Sequence, residues 1–201
     1  KGIPAAFPRV DASRPGISAR EMYDLGLAIR RGGAQEVSPN DFDGEKDTFY
    51  LISGVNQGGK TTFVKSLGVA QLFAQNGLMV PAREYACPVY TGFVTHFPRE
   101  EDENLYMGKL AEELTRFRKK LPLLVPAQGE TGAFVVLNES FATTTEEEGA
   151  EIAADLLRAL SEVRPALFFV THNYHLLRGW KELRQRLAGG VSVASLITRG
   201  S

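Results

Sequence analysis

Residues 48–77 read TFYLISGVNQGGKTTFVKSLGVAQLFAQNG, and this stretch decides the fold because it joins two different periodicities through a glycine-rich loop. Its first part, residues 48–53, is a continuous β-branched, aromatic and aliphatic run bounded by a turn at Asp41, Asp43 and Gly44, the form of a buried strand. Over residues 60–76, Phe63, Val64, Leu67, Ala70, Leu72 and Phe73 recur at mostly helical spacing, and Gly77 stands where a helix-terminating glycine belongs. Between the two lies GVNQGGKTT, residues 54–62, which satisfies the pattern GxxxxGK[ST] in the strand-to-helix context that the pattern requires. Gly54, Gly58 and Gly59 let backbone N–H groups wrap a phosphate chain without side-chain clash, and the following helix adds its positive N-terminal end. Lys60 is placed to reach β- and γ-phosphates and the Thr61 hydroxyl to ligate Mg²⁺, with Val55, Asn56, Gln57 and Thr62 completing the loop.

Further along, residues 134–137 (FVVL) and 167–170 (LFFV) have the length and composition of strands covered on both faces. Residues 146–163 lie between them. Ile152, Leu156, Leu157 and Leu160 form one helix face there, and Thr143 or Thr145 with an acid three residues on supplies a capping box. Strand, helix, strand in this order implies right-handed crossovers and a largely parallel sheet. Open α/β sheets hold ligands at the carboxyl ends of their strands. The first of these strands delivers Asn138 and Glu139 there, candidates for a Mg²⁺–water contact and a water-polarising base, and the second delivers Thr171 and His172, whose imidazole is suited to sensing a γ-phosphate.

Elsewhere the reading is coarser. Residues 1–20, with Pro4, Pro8 and Pro15, read as an extended lead-in, and a short helix or strand follows over 21–30. Residues 79–97 are expected to form small strands and loops around Pro81 and Pro88. A helix over 105–121 carries Leu110, Leu114, Phe117 and Leu121 on one face. The basic clusters Arg116, Arg118, Lys119, Lys120 and Arg178, Lys181, Arg184, Arg186 read as solvated faces. Cys87 reads as a buried filler and Trp180 as packing.

Composition limits the classes of function. The 201 residues carry 23 basic and 24 acidic side chains, a net charge of −1 that disfavours a strongly basic nucleic-acid module. With 43% hydrophobic residues there is material for a sizeable core, while no apolar run approaches the length of a membrane span. One cysteine and three histidines preclude an intrachain disulfide and any zinc-type cluster, and a reducing, cytoplasmic setting is expected. The chain opens at Lys1 and reads as a piece of a longer protein with one domain over 1–201, a lead-in over 1–40 and a P-loop core over 41–201.

The order of these motifs resembles the C-terminal ATPase domain of the MutS mismatch-repair family, a branch of the ABC-type P-loop ATPases. GVNQGGKTT is similar to the family's phosphate loop, with Gln57 where methionine is usual. Residues 77–82 (GLMVPA) resemble GxFVPA, residues 138–149 (NESFATTTEEEG) resemble DELGRGTSTxEG, and residues 169–172 (FVTH) end like the family's ATH. The resemblance implies a RecA-like or ABC-type α/β fold, with a mixed, mostly parallel sheet, helices on both faces and a smaller antiparallel portion from the N-terminal region. It implies Mg²⁺-dependent ATP hydrolysis: Lys60 and the loop 54–62 on the phosphates, Thr61, Asn138 and Glu139 toward the metal, Glu139 on the water and His172 on the γ-phosphate. It implies a head-to-tail homodimer, residues 143–145 and 104–107 facing the partner, and DNA contacts made by other segments. Two departures mark a divergent subfamily: Asn138 replaces an aspartate, and NLYMGKL (104–110) replaces STFMVEM. The alternative is a switch that dimerises on ATP with negligible hydrolysis.

Overall fold

The computed structural model describes residues 4–55, 58–97, 108–125, 132–142 and 144–198. In chain order the elements are β1 (Arg9–Val10), β2 (Ser18–Met22), α1 (Leu25–Arg31), β3 (Asn40–Asp43), β4 (Thr48–Gly54) and α2 (Lys60–Gln75). There follow β5 (Glu84–Cys87), β6 (Gly92–His96), α3 (Lys109–Arg118), β7 (Ala133–Asn138), α4 (Glu146–Val163), β8 (Ala166–Val170), α5 (Tyr174–Arg178), α6 (Trp180–Arg186) and β9 (Ser192–Thr198). The chain divides into two compact units, one from Lys1–Lys46 and Val55–Val89, the other from Asp47–Gly54 and Tyr90–Thr198.

The first unit is a four-stranded sheet in the order β1-β5-β2-β3, parallel at β1/β5 and antiparallel at β5/β2 and β2/β3. The helix α2 packs against β1, β2 and β5. It buries Phe63, Val64, Leu67, Ala70 and Ala74, and the Phe63 ring meets that of Phe42 edge-on at 5.8 Å. A buried amide in such a face needs partners. Gln71 has them, donating to the Pro88 carbonyl at 3.1 Å and accepting from the Tyr85 hydroxyl at 3.0 Å. Cys87 is fully buried, and burial pushes its thiol up to about 11, which suits the filler role. The helix ends at Asn76, with Gly77 at φ +70°, as its glycine predicts.

Residues 9–22 correct the expectation of an unpacked lead-in. They supply β1 and β2, bury Ile17 and Ala19, and are preceded by an Ala6–Val80 bridge. The sequence hid this because strands of two and five residues are too short to show a period.

The second unit holds a five-stranded sheet in the order β6-β7-β8-β4-β9, parallel at every pairing. The antiparallel pairs therefore lie in the N-terminal sheet. One face of the parallel sheet, including Phe49, Leu51, Val135, Leu137, Leu167 and Phe169, shares a single core with residues of α3, α4, α5 and α6, so the helices of this unit gather on that face. Trp180 packs against the same core. On the opposite face the rings of Tyr50 and Phe168 stack at 5.2 Å, and Phe134 lies 5.3 Å from Phe168 and 5.0 Å from Phe93. The continuous apolar runs of β4, β7 and β8 thus feed two buried faces, as their composition predicts. The bounds of α4 match the periodicity, and Thr145 caps it by accepting from the Glu148 amide at 3.3 Å, a cap worth about 1 kcal/mol. The Glu148 carboxylate of this capping box accepts instead from the Thr144 hydroxyl.

The helix α3 departs from its predicted face. Leu114 and Leu121 are exposed, and the buried line runs Leu110, Glu113, Phe117. An acid holds the place where apolar spacing predicts leucine. The basic cluster following it is not uniformly solvated, because Arg116 donates to the Phe97 carbonyl at 3.0 Å and Lys120 donates to the Thr95 carbonyl. Among the described residues no helix is long and apolar enough to cross a membrane.

Candidate functional site

The parallel register brings three strand ends to one edge of the second unit's sheet. Ile52 of β4 pairs with Val170 of β8, and Val170 pairs with Asn138 of β7. At these positions or within two residues of them stand Gly54, the pair Asn138 and Glu139, and the pair Thr171 and His172, so the sheet gathers the three motif ends read from the sequence. Two main-chain bonds continue the ladder past the strands: the Glu139 amide donates to the Val170 carbonyl at 2.8 Å and the Thr171 amide to the Ile52 carbonyl at 3.0 Å. Asn138 is 5% exposed. The Glu139 carboxylate and the His172 Nδ1 are 3.7 Å apart, both side chains open to solvent in part. That separation is too long for a hydrogen bond.

The chain leaves β4 at Gly54 and enters the first unit, where the remainder of the glycine-rich loop is built. Gly54 has φ +143° and Gly59 φ +81°, conformations that side chains rarely adopt. The Gly58 amide donates to the Val55 carbonyl at 3.0 Å, and the Phe63 amide donates to the Gly59 carbonyl at 2.8 Å as the helix begins. Lys60 is 4% exposed, its ammonium folded back on the Val55 carbonyl at 2.9 Å. Thr61 and Thr62 are half-buried on the first turn of α2. Gly59 offers no side chain to cap the helix, so the positive end of its dipole is directed into the loop. A buried ammonium, a glycine cradle and a helix N-terminus suit a phosphate chain. Asn56 and Gln57 lie outside the described residues, as do Thr143 and residues 104–107 of the expected partner-facing segments.

Among the described residues no cluster of three or more histidine, cysteine or acidic side chains is arranged to hold a metal ion. A phosphate-bound Mg²⁺ needs no such cluster, since it takes one or two protein ligands and fills its octahedron with phosphate oxygens and waters. Thr61, Asn138 and Glu139 are of the right type for that limited part.

The turn after β7 holds what the sequence reading missed. Glu139 and Phe141 both sit in the left-handed region, at φ +50° and +63°, a strain of order 1–3 kcal/mol for each such residue. Phe141 stands where the family motif quoted above has glycine. Its ring is 2% exposed, stacked on His96 at 5.9 Å and edge-on to Phe117 at 6.1 Å. Its amide donates to Glu113 Oε1 at 2.9 Å, and the same oxygen lies 3.1 Å from His96 Nε2. Burial alone would raise the Glu113 carboxyl. The bonds from His96 and from the Phe141 amide, with the charges of His96 and Arg116, outweigh it and hold the group below the ordinary value. Glu113 is therefore ionised and can only accept, so His96 Nε2 is the donor. Gly149 completes the frame, because a Cβ there would lie 2.8 Å from the Phe141 carbonyl oxygen. The signal available in the sequence was an acid and a histidine at positions whose neighbours are apolar.

Over 145 residues the chain is 29% identical to the DNA mismatch repair protein MutS of Thermus aquaticus, covering 70% of this chain and 17% of that protein. It is 32% identical over 139 residues to the endonuclease MutS2 of Clostridium botulinum (strain Loch Maree / Type A3), 68% of this chain and 17% of that one. A second endonuclease MutS2, from Thermus thermophilus, is 31% identical over 152 residues, 76% of this chain and 19% of the relative. The chain thus spans less than a fifth of the length of these relatives. Residues 50–195 match the family MutS domain V. That match takes in most of β4, the glycine-rich loop, both polar strand ends and most of β9, and the chain belongs to the MutS domain V family.

Proposed function

We propose that this chain is a P-loop ATPase domain of the ABC type, from a divergent branch of the family, that binds Mg²⁺–ATP and hydrolyses it to drive conformational change in a mismatch-repair-related DNA-binding protein. The observation that carries the reading is the strand–loop–helix of residues 48–75. It leaves the same parallel sheet edge that presents Glu139 and His172. Lys60 and the amides of residues 54–62 bind the phosphates. The Thr61 hydroxyl and the Asn138 side chain orient a hydrated Mg²⁺, which when bound neutralises charge on the β- and γ-phosphates. Glu139 holds and deprotonates the attacking water, and His172, 3.7 Å from that carboxylate, reports the γ-phosphate to it. A homodimer completes each site from the partner's residues 143–145 and 104–107, and DNA is met by other segments of the longer protein.

The second reading, a switch that dimerises on ATP and hydrolyses it negligibly, is favoured by one observation. Asn138 is a neutral amide, buried at the strand end where the family motif has an anion. The experiment is the Mg²⁺-dependent rate of ATP hydrolysis per molecule across a wide range of protein concentration. A rate that rises with concentration supports a site completed by a second copy. Measurable ATP binding without turnover rejects the hydrolytic reading in favour of the switch.

A further inference from the structure

Glu113 and His96 are buried, polar and unused by the reading above. His96 is fully buried and Glu113 8% exposed. They come from α3 and from the last residue of β6, and both lie on the face of the sheet that carries the helical core, since His96 pairs in register with Leu137. Groups of this kind are costly to bury unless each is satisfied by the other. Here a single oxygen, Glu113 Oε1, accepts from His96 Nε2–H at 3.1 Å and from the Phe141 amide at 2.9 Å. The other charged group against the pair is Arg116, whose guanidinium stands 3.4 Å from His96 Nε2 while it donates to the Phe97 carbonyl. The imidazole Nδ1 has no hydrogen-bond partner among the described residues, so the ring's hydrogen bonding runs through Nε2, while the rings of Phe117 and Phe141 pack against it.

The target of the pair is informative. Phe141 is the second of two residues held at positive φ in a turn whose first such residue is Glu139. Neither is glycine, so the local chain does not favour this turn and it must be imposed from outside. Glu139 is tied at its amide to Val170, and Phe141 at its amide to Glu113. Between those two anchors the backbone that carries Glu139 has little freedom, and with it the point from which the side chain departs.

We propose that Glu113 is a positioning residue, oriented by His96, that fixes the turn after β7 and thereby the placement of the Glu139 carboxylate, making the seating of α3 on β6 a determinant of hydrolysis. The proposal rests on the ATPase reading of Glu139. It assigns Glu113 no contact with nucleotide, so its loss acts on turnover and leaves ATP binding alone.

The test compares two substitutions in the whole chain. Glu113→Gln keeps an oxygen that accepts from both the Phe141 amide and His96. Glu113→Asp keeps the charge and withdraws the acceptor by one carbon–carbon bond, about 1.5 Å. Steady-state hydrolysis is expected to show kcat reduced about tenfold or more in E113D, with KM for ATP unchanged, and within about threefold of wild type in E113Q, as displacement of a reacting group predicts. Hydrogen exchange at the Phe141 amide is expected to quicken about tenfold in E113D and to stay near wild type in E113Q, following loss of its acceptor. Should E113D fail to fold, His96→Leu, which removes the donor to the carboxylate without removing the carboxylate, is expected to give the same fall in kcat at unchanged KM. The reverse order of the two Glu113 variants, a change confined to KM, or an E113D that exchanges and turns over like wild type overturns the positioning role. A wild-type chain that binds ATP without hydrolysing it overturns the ATPase reading, and the role with it, before any variant is made.

Discussion

Two strands of one parallel sheet, β4 and β7, end in turns that both need left-handed backbone, and they obtain it by opposite means. After β4 the positive φ values fall on Gly54 and Gly59, where no Cβ resists them. After β7 they fall on Glu139 and Phe141, and the conformation is held by a hydrogen bond from the Phe141 amide to Glu113, one from the Glu139 amide to the Val170 carbonyl and a phenylalanine ring packed into the core. A glycine turn carries its own conformation and is open to whatever approaches its backbone. A turn built from glutamate and phenylalanine carries side chains with it, and its conformation is a property of the tertiary structure. On the proposed reading the first turn binds and the second reacts. Binding wants exposed amides, whereas general-base chemistry wants a carboxylate whose direction is fixed.

The comparison breaks most sharply at Glu139 and Lys60, the side chains to which the proposal gives the chemistry. Glu139→Gln removes the proposed base and keeps the shape of the turn, so hydrolysis is expected to fall by about 10²–10⁴ with ATP affinity retained. A turnover that survives in this variant contradicts the role of the second turn. Lys60→Ala acts on the first turn. Loss of a charge-assisted bond to phosphate of about 3 kcal/mol predicts roughly a hundredfold weaker ATP binding, read by titration with a fluorescent nucleotide, with an unchanged circular-dichroism spectrum. Unchanged affinity removes the phosphate-loop assignment altogether.

A smaller pair of effects tests how each turn is held. Gly149→Ala drives a Cβ to 2.8 Å from the Phe141 carbonyl, a backbone atom that cannot turn aside, and is expected to cost about 1–3 kcal/mol in denaturant unfolding, as overpacking does. Gly59→Ala meets nothing within 4 Å, and its cost, about 1–2 kcal/mol, is expected to come from the left-handed backbone alone. If G149A is silent, the second turn is not held from the α4 side.

The same contrast explains what was legible in the sequence. The glycine-rich loop, its strand and its helix announce themselves because glycine, a hydrophobic run and helical spacing are local signals. The strand ends at Asn138 and Thr171 follow from apolar runs that stop at polar residues. The second turn gave no such signal. Phe141 stands where glycine was to be expected, and the atom that holds it belongs to a residue 28 positions away on a helix whose apolar spacing favoured Leu114 over Glu113. The short strands β1 and β2 escaped for a related reason, since their pairing with β5 and β3 is written in no window of the chain. Local chemistry is legible one residue at a time, and tertiary clamps are legible only in pairs.

The gentlest test of the clamp is pH. The Glu113 carboxyl is held below its ordinary value of 4.5 in the folded chain, so the folded form binds that proton less readily than the unfolded form does. Its contribution to stability is therefore present in full above pH 4.5 and is lost as the pH falls through the lowered folded value. Glu113→Gln has no proton to take up. Urea unfolding midpoints measured from neutral pH down to below 4.5 are expected to fall more steeply for wild type than for E113Q, the two curves diverging only at the acid end. The exposed Arg20–Asp43 pair of the first unit, joined by bonds of 3.0 and 2.9 Å, supplies the control. Asp43 is also held low, chiefly by its hydrogen bonds from Arg20 and Ser18, but its side chain is 68% exposed and solvent screens the pair. Asp43→Asn is expected to leave the acid limb nearly as steep as in wild type. Equal flattening by both substitutions would mean that the buried clamp holds its turn no more firmly than a surface ion pair holds a strand.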